Sequence, residues 1–300
     1  MCLYPQIAQL NQFGTLEFNT EGNLRIPCGK CTECISKRSL EWATRARHEI
    51  SCHFDNCFLT LTYDNSSLPS ILVVKNEFQK FIKRLRKKTK LNIRYMVSHE
   101  YGSTTFRPHH HAIIFGYNPP NQILLRKTPK GESIFTSSEI ETLWPLGYHS
   151  IGTANERTAY YIASYSLKGK KHLLVDPQTG EETFVSDCMD CSKRPAIGYN
   201  YFVKNFQQLI DSNTILPRYY FKKLQEINPT LHEHYENERM LKFKNRSSHE
   251  VYAKFIIDQQ KITESEFRFC NEQTITASTY LEKELLTNRD EYHLLTKGKK

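Results

Sequence analysis

The chain has 300 residues, 39% of them apolar, and its 41 Lys and Arg outnumber 32 Asp and Glu to leave a net charge of +9. That length suits one large domain or two small ones, and the charge favours a polyanionic partner without choosing among DNA, RNA and an anionic surface. No apolar run approaches the ~20 residues of a membrane span. The start Met1-Cys2-Leu3-Tyr4-Pro5-Gln6 lacks the basic and apolar regions of a secretion signal, so a reducing cytoplasm and no membrane partner are expected.

The first fifty residues hold a short strand-like start, the cluster Cys28-Gly29-Lys30-Cys31-Thr32-Glu33-Cys34, and a helical stretch over Ser39–Ile50. In a reducing compartment the 9 cysteines, an odd number, do not read as a disulfide framework. Two overlapping Cys-x-x-Cys steps point instead to a structural zinc ion. Its fourth ligand can come from Cys2, Cys188 or Cys191, the last two forming a further Cys-x-x-Cys. The plainer alternative is a set of reduced thiols packing a turn.

Phe58-Leu59-Thr60-Leu61-Thr62-Tyr63 is a β-prone run closed by Asp64-Asn65. Lys75 to Lys90 is an amphipathic helix with Phe78, Phe81, Ile82 and Leu85 on its apolar stripe. Its other face carries Lys80, Lys83, Arg84, Arg86, Lys87 and Lys88. That face is either a solvated surface or a phosphate-binding surface beside the functional site.

Ile93–Val97 reads as a strand leading to His99-Glu100-Tyr101-Gly102, and Arg107-Pro108-His109-His110-His111-Ala112-Ile113-Ile114-Phe115 reads as the next. Alternation puts His109 and His111 on one face and His110 on the other, half buried on the back of the sheet. Antiparallel pairing brings Glu100 alongside the two imidazoles. A set of Glu100, His109 and His111 suits Mg²⁺ or Mn²⁺, and His99 is a weaker ligand candidate.

Thr153-x-x-Glu156 has the form of a capping box. The helix it opens carries Tyr161 and Tyr165 one turn apart, ends near Lys168-Gly169, and places Lys168 on the tyrosines' face. A phenol titrates near ~10 and needs a cation beside it to become a good nucleophile; otherwise such a pair is a packed helix face. A paired-imidazole metal site beside two phenols is what phosphodiester cleavage through a tyrosine ester requires. Asp176-Pro177-Gln178-Thr179-Gly180 looks like a turn between short strands, Tyr199–Ile210 is a helix, and from Pro217 the pattern is charged and helical. The order of elements predicts an α+β fold, an antiparallel sheet with helices on one face in a ferredoxin-like arrangement. The expected organisation is a Cys-rich segment over 1–50 packed on the core, a core domain over 51–215 and a helical region over 216–300.

The Cys28–Cys34 cluster, Cys57 through Asp64, Glu100-Tyr101-Gly102, Arg107-Pro108-His109-His110-His111, Tyr161-Ile162-Ala163-Ser164-Tyr165 and Arg194-Pro195-Ala196-Ile197-Gly198 occur together in this order. In that combination the chain resembles the replication initiation proteins of gokushovirus-type microviruses and, more broadly, the HUH endonuclease superfamily. The resemblance implies the Rep nuclease fold over 51–215, with Glu100, His109 and His111 as metal ligands and Tyr161 and Tyr165 as nucleophiles. It implies a rolling-circle initiator that cuts and rejoins single-stranded or origin DNA through a 5′-phosphotyrosine, in the cytoplasm of a bacterial host, with a host helicase and polymerase as further partners. Lys168 would assist the tyrosines. Lys80, Lys83, Arg84, Lys87, Lys88 and Arg107 would hold DNA. The rival readings are a plasmid-type replication protein or relaxase of the same superfamily, and a zinc-stabilised nucleic-acid binder without enzymatic activity.

Overall fold

The computed structural model describes residues 2–13, 15–18, 22, 24–68, 75–102, 107–168, 171–175, 180, 182–212 and 214–244. In chain order these form β1 (Gln6–Leu10), β2 (Leu16–Phe18), β3 (Leu24–Ile26), α1 (Thr32–Ile50), β4 (Asn56–Thr62), α2 (Lys75–Thr89), β5 (Arg94–Tyr101), β6 (Pro108–Phe115), β7 (Ile123–Lys127) and β8 (Ser133–Thr136). There follow α3 (Ser138–Leu143), β9 (His149–Gly152), α4 (Glu156–Lys168), β10 (Lys171–Val175), β11 (Glu182–Ser186), β12 (Cys188–Cys191), α5 (Tyr199–Asp211), α6 (Arg218–Ile227) and α7 (Pro229–Lys244). The chain divides into two compact units, Met1–Cys34 with Lys223–Lys300, and Ile35–Lys222.

The larger unit is built on a seven-stranded antiparallel sheet of order β12-β5-β6-β4-β9-β8-β7. Its central strands are apolar at both parities, which decides how the helices distribute. Cys57, Leu59, Leu61, Val97, Ala112 and Ile114 face Phe78, Phe81, Ile82 and Leu85 of α2 and Ile140 and Leu143 of α3. The opposite parity, Phe58, Met96, Ile113 and Phe115, packs against Ala43 and Ala46 of α1 and Ala159, Ile162 and Ala163 of α4. The α+β class and the antiparallel sheet are as expected, but helices cover both faces rather than one, because a central strand buried on two sides needs two apolar covers. Each large side chain buried in these layers contributes about 1.5–3 kcal/mol.

The β7–β8 hairpin, α3 and β9 complete the sheet on one side; only the strands around the histidines had a clear sequence pattern. The hairpin β10–β11 pairs in the register Lys171↔Ser186 to Val175↔Glu182, and the predicted turn lies between those strands, with 176–179 outside the described residues. The smaller unit contains the three-stranded sheet β2-β1-β3 and α7. Among the described residues no helix is long and apolar enough to cross a membrane.

Two local features orient the functional elements. Helix α4 is capped by Asn155, whose Oδ1 accepts the Thr158 amide at 3.0 Å while Thr158 Oγ1 accepts the Asn155 amide at 2.9 Å. The capping pair thus lies two residues beyond the expected Thr153 and Glu156, since the reciprocal bonds need residues three apart that bracket the first turn. The Arg194–Gly198 segment is a latch. Arg94 donates to Pro195 O at 2.7 Å and Arg45 Nε to Ile197 O at 3.0 Å. Buried Glu49 accepts from the Gly198 amide at 2.7 Å and from Arg94 Nε at 2.5 Å. Gly198 has φ +79, and a Cβ there would collide with the Tyr220 hydroxyl, so both its handedness and its bareness are used.

Candidate active site

Strand register assembles the site. The pairs Glu100↔His109 and Ser98↔His111 join β5 to β6, and Thr62↔His109 and Thr60↔His111 join β6 to β4. Residues directly opposite each other share a face, so Glu100, His109 and His111 project together from the face covered further along by α1 and α4. Their ligand atoms all lie within 4.8 Å of one another, and His109 Nε2 is 3.8 Å from Glu100 Oε2.

Neighbouring groups hold the imidazoles in the form that binds cations. His109 Nδ1 donates to Arg107 O at 3.1 Å, which turns the Nε2 lone pair toward Glu100. His111 Nδ1 lies 3.0 Å from Thr60 Oγ1, and its ring stacks on Phe58 with centroids 5.7 Å apart. Burial pushes the His111 imidazole down to about 3 and lowers His109 as well, so both stay neutral. Burial pushes the Glu100 carboxyl up to about 7; Ser98, whose hydroxyl bonds Glu100 Oε1, pulls it down, and Asp187 raises it further. Two buried carboxylates and two neutral imidazoles around one point fit a divalent cation, which removes the repulsion that otherwise keeps Glu100 protonated. Bonds of ~2.1–2.2 Å from one ion reach donors up to ~4.4 Å apart, so small shifts close the triad on a metal.

Tyr161 reaches the same point from α4. Its hydroxyl is 3.4 Å from His111 Nε2, with ring centroids 5.1 Å apart and planes at 88°. Tyr165 and Lys168 lie on α4, one and nearly two turns beyond Tyr161, with side chains outside the described residues.

Other expected participants fall elsewhere. His99 belongs to the opposite parity of β5, and its Nδ1 meets His110 Nδ1 at 2.8 Å; it is not in the triad. His110 is fully rather than half buried, and its Nε2 contacts the Tyr63 hydroxyl at 2.9 Å. Helix α2 covers that same reverse face, so its basic side does not flank the triad. On it, Arg84 donates to Leu143 O at 3.0 Å and Lys80 pairs with Glu77 at 2.7 Å, whereas Lys83, Lys87 and Lys88 are exposed without an ion pair among the described residues. Arg107 braces the end of β4 by donating to Tyr63 O at 2.6 Å and to Asn65 Oδ1. The helix stripe was legible from its period, but which face of the sheet it covers depends on the crossover, which no local pattern encodes.

Asp187 is the residue sequence reasoning missed. It precedes β12, whose first pair is Cys188↔His99, and so lies next to Glu100. It is buried, and its Oδ1 accepts the Tyr101 amide at 3.1 Å. No motif surrounds it. The cysteines also separate: Cys2, Cys28, Cys31 and Cys34 form one group, whereas Cys188 and Cys191 stand on β12 opposite His99 and Met96.

The class follows from comparison. Residues 56–170, which span the triad and both tyrosines, match the family model for replication-associated proteins of the ORF2 type. The chain is 31% identical over 266 residues to the replication-associated protein VP4 of Bdellovibrio phage phiMH2K, covering 81% of this chain and 83% of that one. It is 29% identical to the replication-associated protein ORF2 of Spiroplasma virus 4, covering 80% and 82%, and 27% identical to the replication-associated protein ORF4 of Chlamydia phage 1, covering 74% and 60%. The chain belongs to the replication-associated proteins of gokushovirus-type microviruses. No solved structure matches it.

Proposed function

We propose that this protein initiates rolling-circle replication by cutting and rejoining single-stranded origin DNA through a tyrosine ester. The observation that carries the reading is the Tyr161 hydroxyl 3.4 Å from His111 Nε2, at the edge of the Glu100–His109–His111 group. Those three residues would hold Mg²⁺ or Mn²⁺, which when bound supplies Lewis-acid polarisation of the scissile phosphate.

The chain's own groups do the rest. Thr60 and the Arg107 carbonyl fix the imidazoles, and Ser98 and Asp187 fix the Glu100 carboxyl region. Tyr161 attacks phosphorus; a P–O bond to the phenolic oxygen forms, the P–O3′ bond breaks, the phenolic proton passes to water and the 3′ oxygen takes one up. The downstream strand is then held by its 5′ phosphate, and the free 3′ hydroxyl primes synthesis by a host polymerase. Tyr165, one turn on, cuts the regenerated origin, and the new 3′ hydroxyl attacks the first ester to close a circle. Lys168, on the same helix face, offsets charge on phenolate or phosphate. Lys83, Lys87 and Lys88 contact backbone phosphates away from the site, an interaction that weakens with salt.

The test uses a pool of 3′-labelled single-stranded oligonucleotides with Mn²⁺, resolved on denaturing gels. A labelled protein band that mass spectrometry places on Tyr161 or Tyr165 is expected. His111→Ala should remove that band while leaving most DNA affinity, which rests on cations. An adduct that survives Tyr161→Phe with Tyr165→Phe would overturn the mechanism, and binding without any adduct would favour the non-enzymatic alternative.

A further inference from the structure

We propose that Cys2, Cys28, Cys31 and Cys34 hold a single zinc ion in the smaller unit. Their sulfurs all lie within 4.8 Å of one another, and Cys2 Sγ is 3.9 Å from Cys31 Sγ. Zn–S bonds of ~2.3 Å in a tetrahedron set sulfur–sulfur edges of about 3.8 Å, so that pair already has the spacing of two zinc ligands. A disulfide needs a separation near ~2.05 Å, and an iron–sulfur cluster, with several irons and sulfides between the thiolates, needs a wider cage.

The backbone is folded for thiolates. The Cys28 amide donates to Cys2 Sγ at 3.2 Å, and the Lys30 and Cys31 amides donate to Cys28 Sγ at 3.4 and 3.3 Å. Gly29, at φ +74 with open space where a Cβ would be, makes the turn that aims two amides at one sulfur. The unit also lacks an apolar core of its own. Among the described residues of Met1–Cys34 the buried side chains are Cys2, Ala8, Leu24 and Cys34, half of them members of the group. Three strands of three to five residues have too little apolar area to order themselves, and binding a metal supplies the missing folding energy.

The full chain, purified under reducing conditions, is analysed for metal and then exchanged with Co²⁺. One zinc per chain and the visible bands of a tetrahedral tetrathiolate Co²⁺ site are expected. Cys188→Ser with Cys191→Ser keeps that stoichiometry, and Cys2→Ser lowers it. Should Cys2→Ser not fold, native wild-type protein is alkylated instead: Cys2, Cys28, Cys31 and Cys34 resist at least tenfold longer than exposed Cys52 until a chelator is added. Metal-free protein that binds no Co²⁺, loss of zinc in the Cys188 and Cys191 variant, or Cys2 alkylated as fast as Cys52 would each overturn the assignment.

A separate observation concerns Tyr148. Thr62 donates its amide to Tyr148 O at 2.8 Å, extending the register Leu61↔His149 by one pair. Tyr148, Thr62, His109 and Glu100 thus form one cross-strand row, and Tyr148 shares the face of the triad, two strands from His109, or ~10 Å. Its ring is 73% exposed. Gly147, at φ +154 and pressed on Thr62 O and Tyr63 C, where a Cβ would come to 2.5 and 2.6 Å, brings the segment down onto β4.

On the nicking reading, we infer that Tyr148 is a stacking platform for a DNA base adjoining the scissile phosphate. Single-stranded DNA is commonly held by such rings beside a charged site. Oligonucleotide affinity is measured by anisotropy without divalent metal, and nicking kinetics with Mn²⁺. Tyr148→Ala should raise Kd and KM roughly tenfold or more with a smaller change in kcat, and Tyr148→Phe should restore both. Unchanged Kd in Tyr148→Ala, or Tyr148→Phe as weak as Tyr148→Ala, would overturn the platform. Absence of an adduct in wild type overturns the nicking reading instead and leaves the affinity result standing.

Discussion

Asp187 enlarges the cation site by a charge rather than by a ligand. Its carboxylate lies beside Glu100 and raises the affinity of that carboxyl for a proton, so it raises the attraction for a divalent cation in the same way. Asp187→Asn preserves an oxygen for the Tyr101 amide and removes the charge. Mn²⁺ affinity, read by calorimetry, should fall about tenfold, the ordinary cost of losing an outer-shell partner. The triad itself was legible because strand alternation and hairpin pairing are local rules: knowing that β5 runs into β6 suffices to place Glu100 across from His109. Asp187 was not, because it reaches Glu100 only after α4, β10 and β11 have intervened, and a short strand with two cysteines gives little pattern to read.

At the level of elements, α4 is what delivers Tyr161 to the imidazoles. Its first turn depends on the reciprocal Asn155 and Thr158 bonds. Asn155→Ala should cost about 1 kcal/mol of stability in urea unfolding, whereas Thr153→Ala, at the cap expected from the sequence, should change it by much less. The apolar stripe of α2 was readable from its period, and all four predicted residues are buried. The function of its basic side was not. Side-chain periodicity says which face of a helix is wet, and only the topology says what lies beyond that face. Here the reverse of the sheet receives α2, and the triad looks the other way.

Across the molecule, buried imidazoles set the response to acid. Burial holds His48 and His99 down at about 4 and His111 at about 3, below the ~6.5 of an unfolded chain. Between those values the unfolded chain binds more protons, so each contributes stability that is present above pH ~6.5 and lost as the pH falls through the folded values. Glu100, raised to about 7, acts in the opposite direction above its ordinary range. Three groups outweigh one, and Glu49, held low by its Arg94 and Gly198 partners despite burial, adds to the majority. Urea midpoints measured in chelator should therefore decline from pH 6.5 to 4, and a flat profile would contradict the burial described.

The three consecutive histidines of β6 divide their labour by odd and even position: two serve chemistry in front, and one joins His99 and Tyr63 behind. A strand has no intermediate setting between those two orientations. Deleting or inserting a single codon in this tract would keep imidazoles on both sides and yet exchange their duties unless the flanking chain absorbed the slip. Arg107, gripping the neighbouring strand end through Tyr63 and Asn65, stands where such a slip would begin. Repeat length in this tract is therefore a counted quantity, and variants of the protein should tolerate altered residues there far more readily than altered spacing.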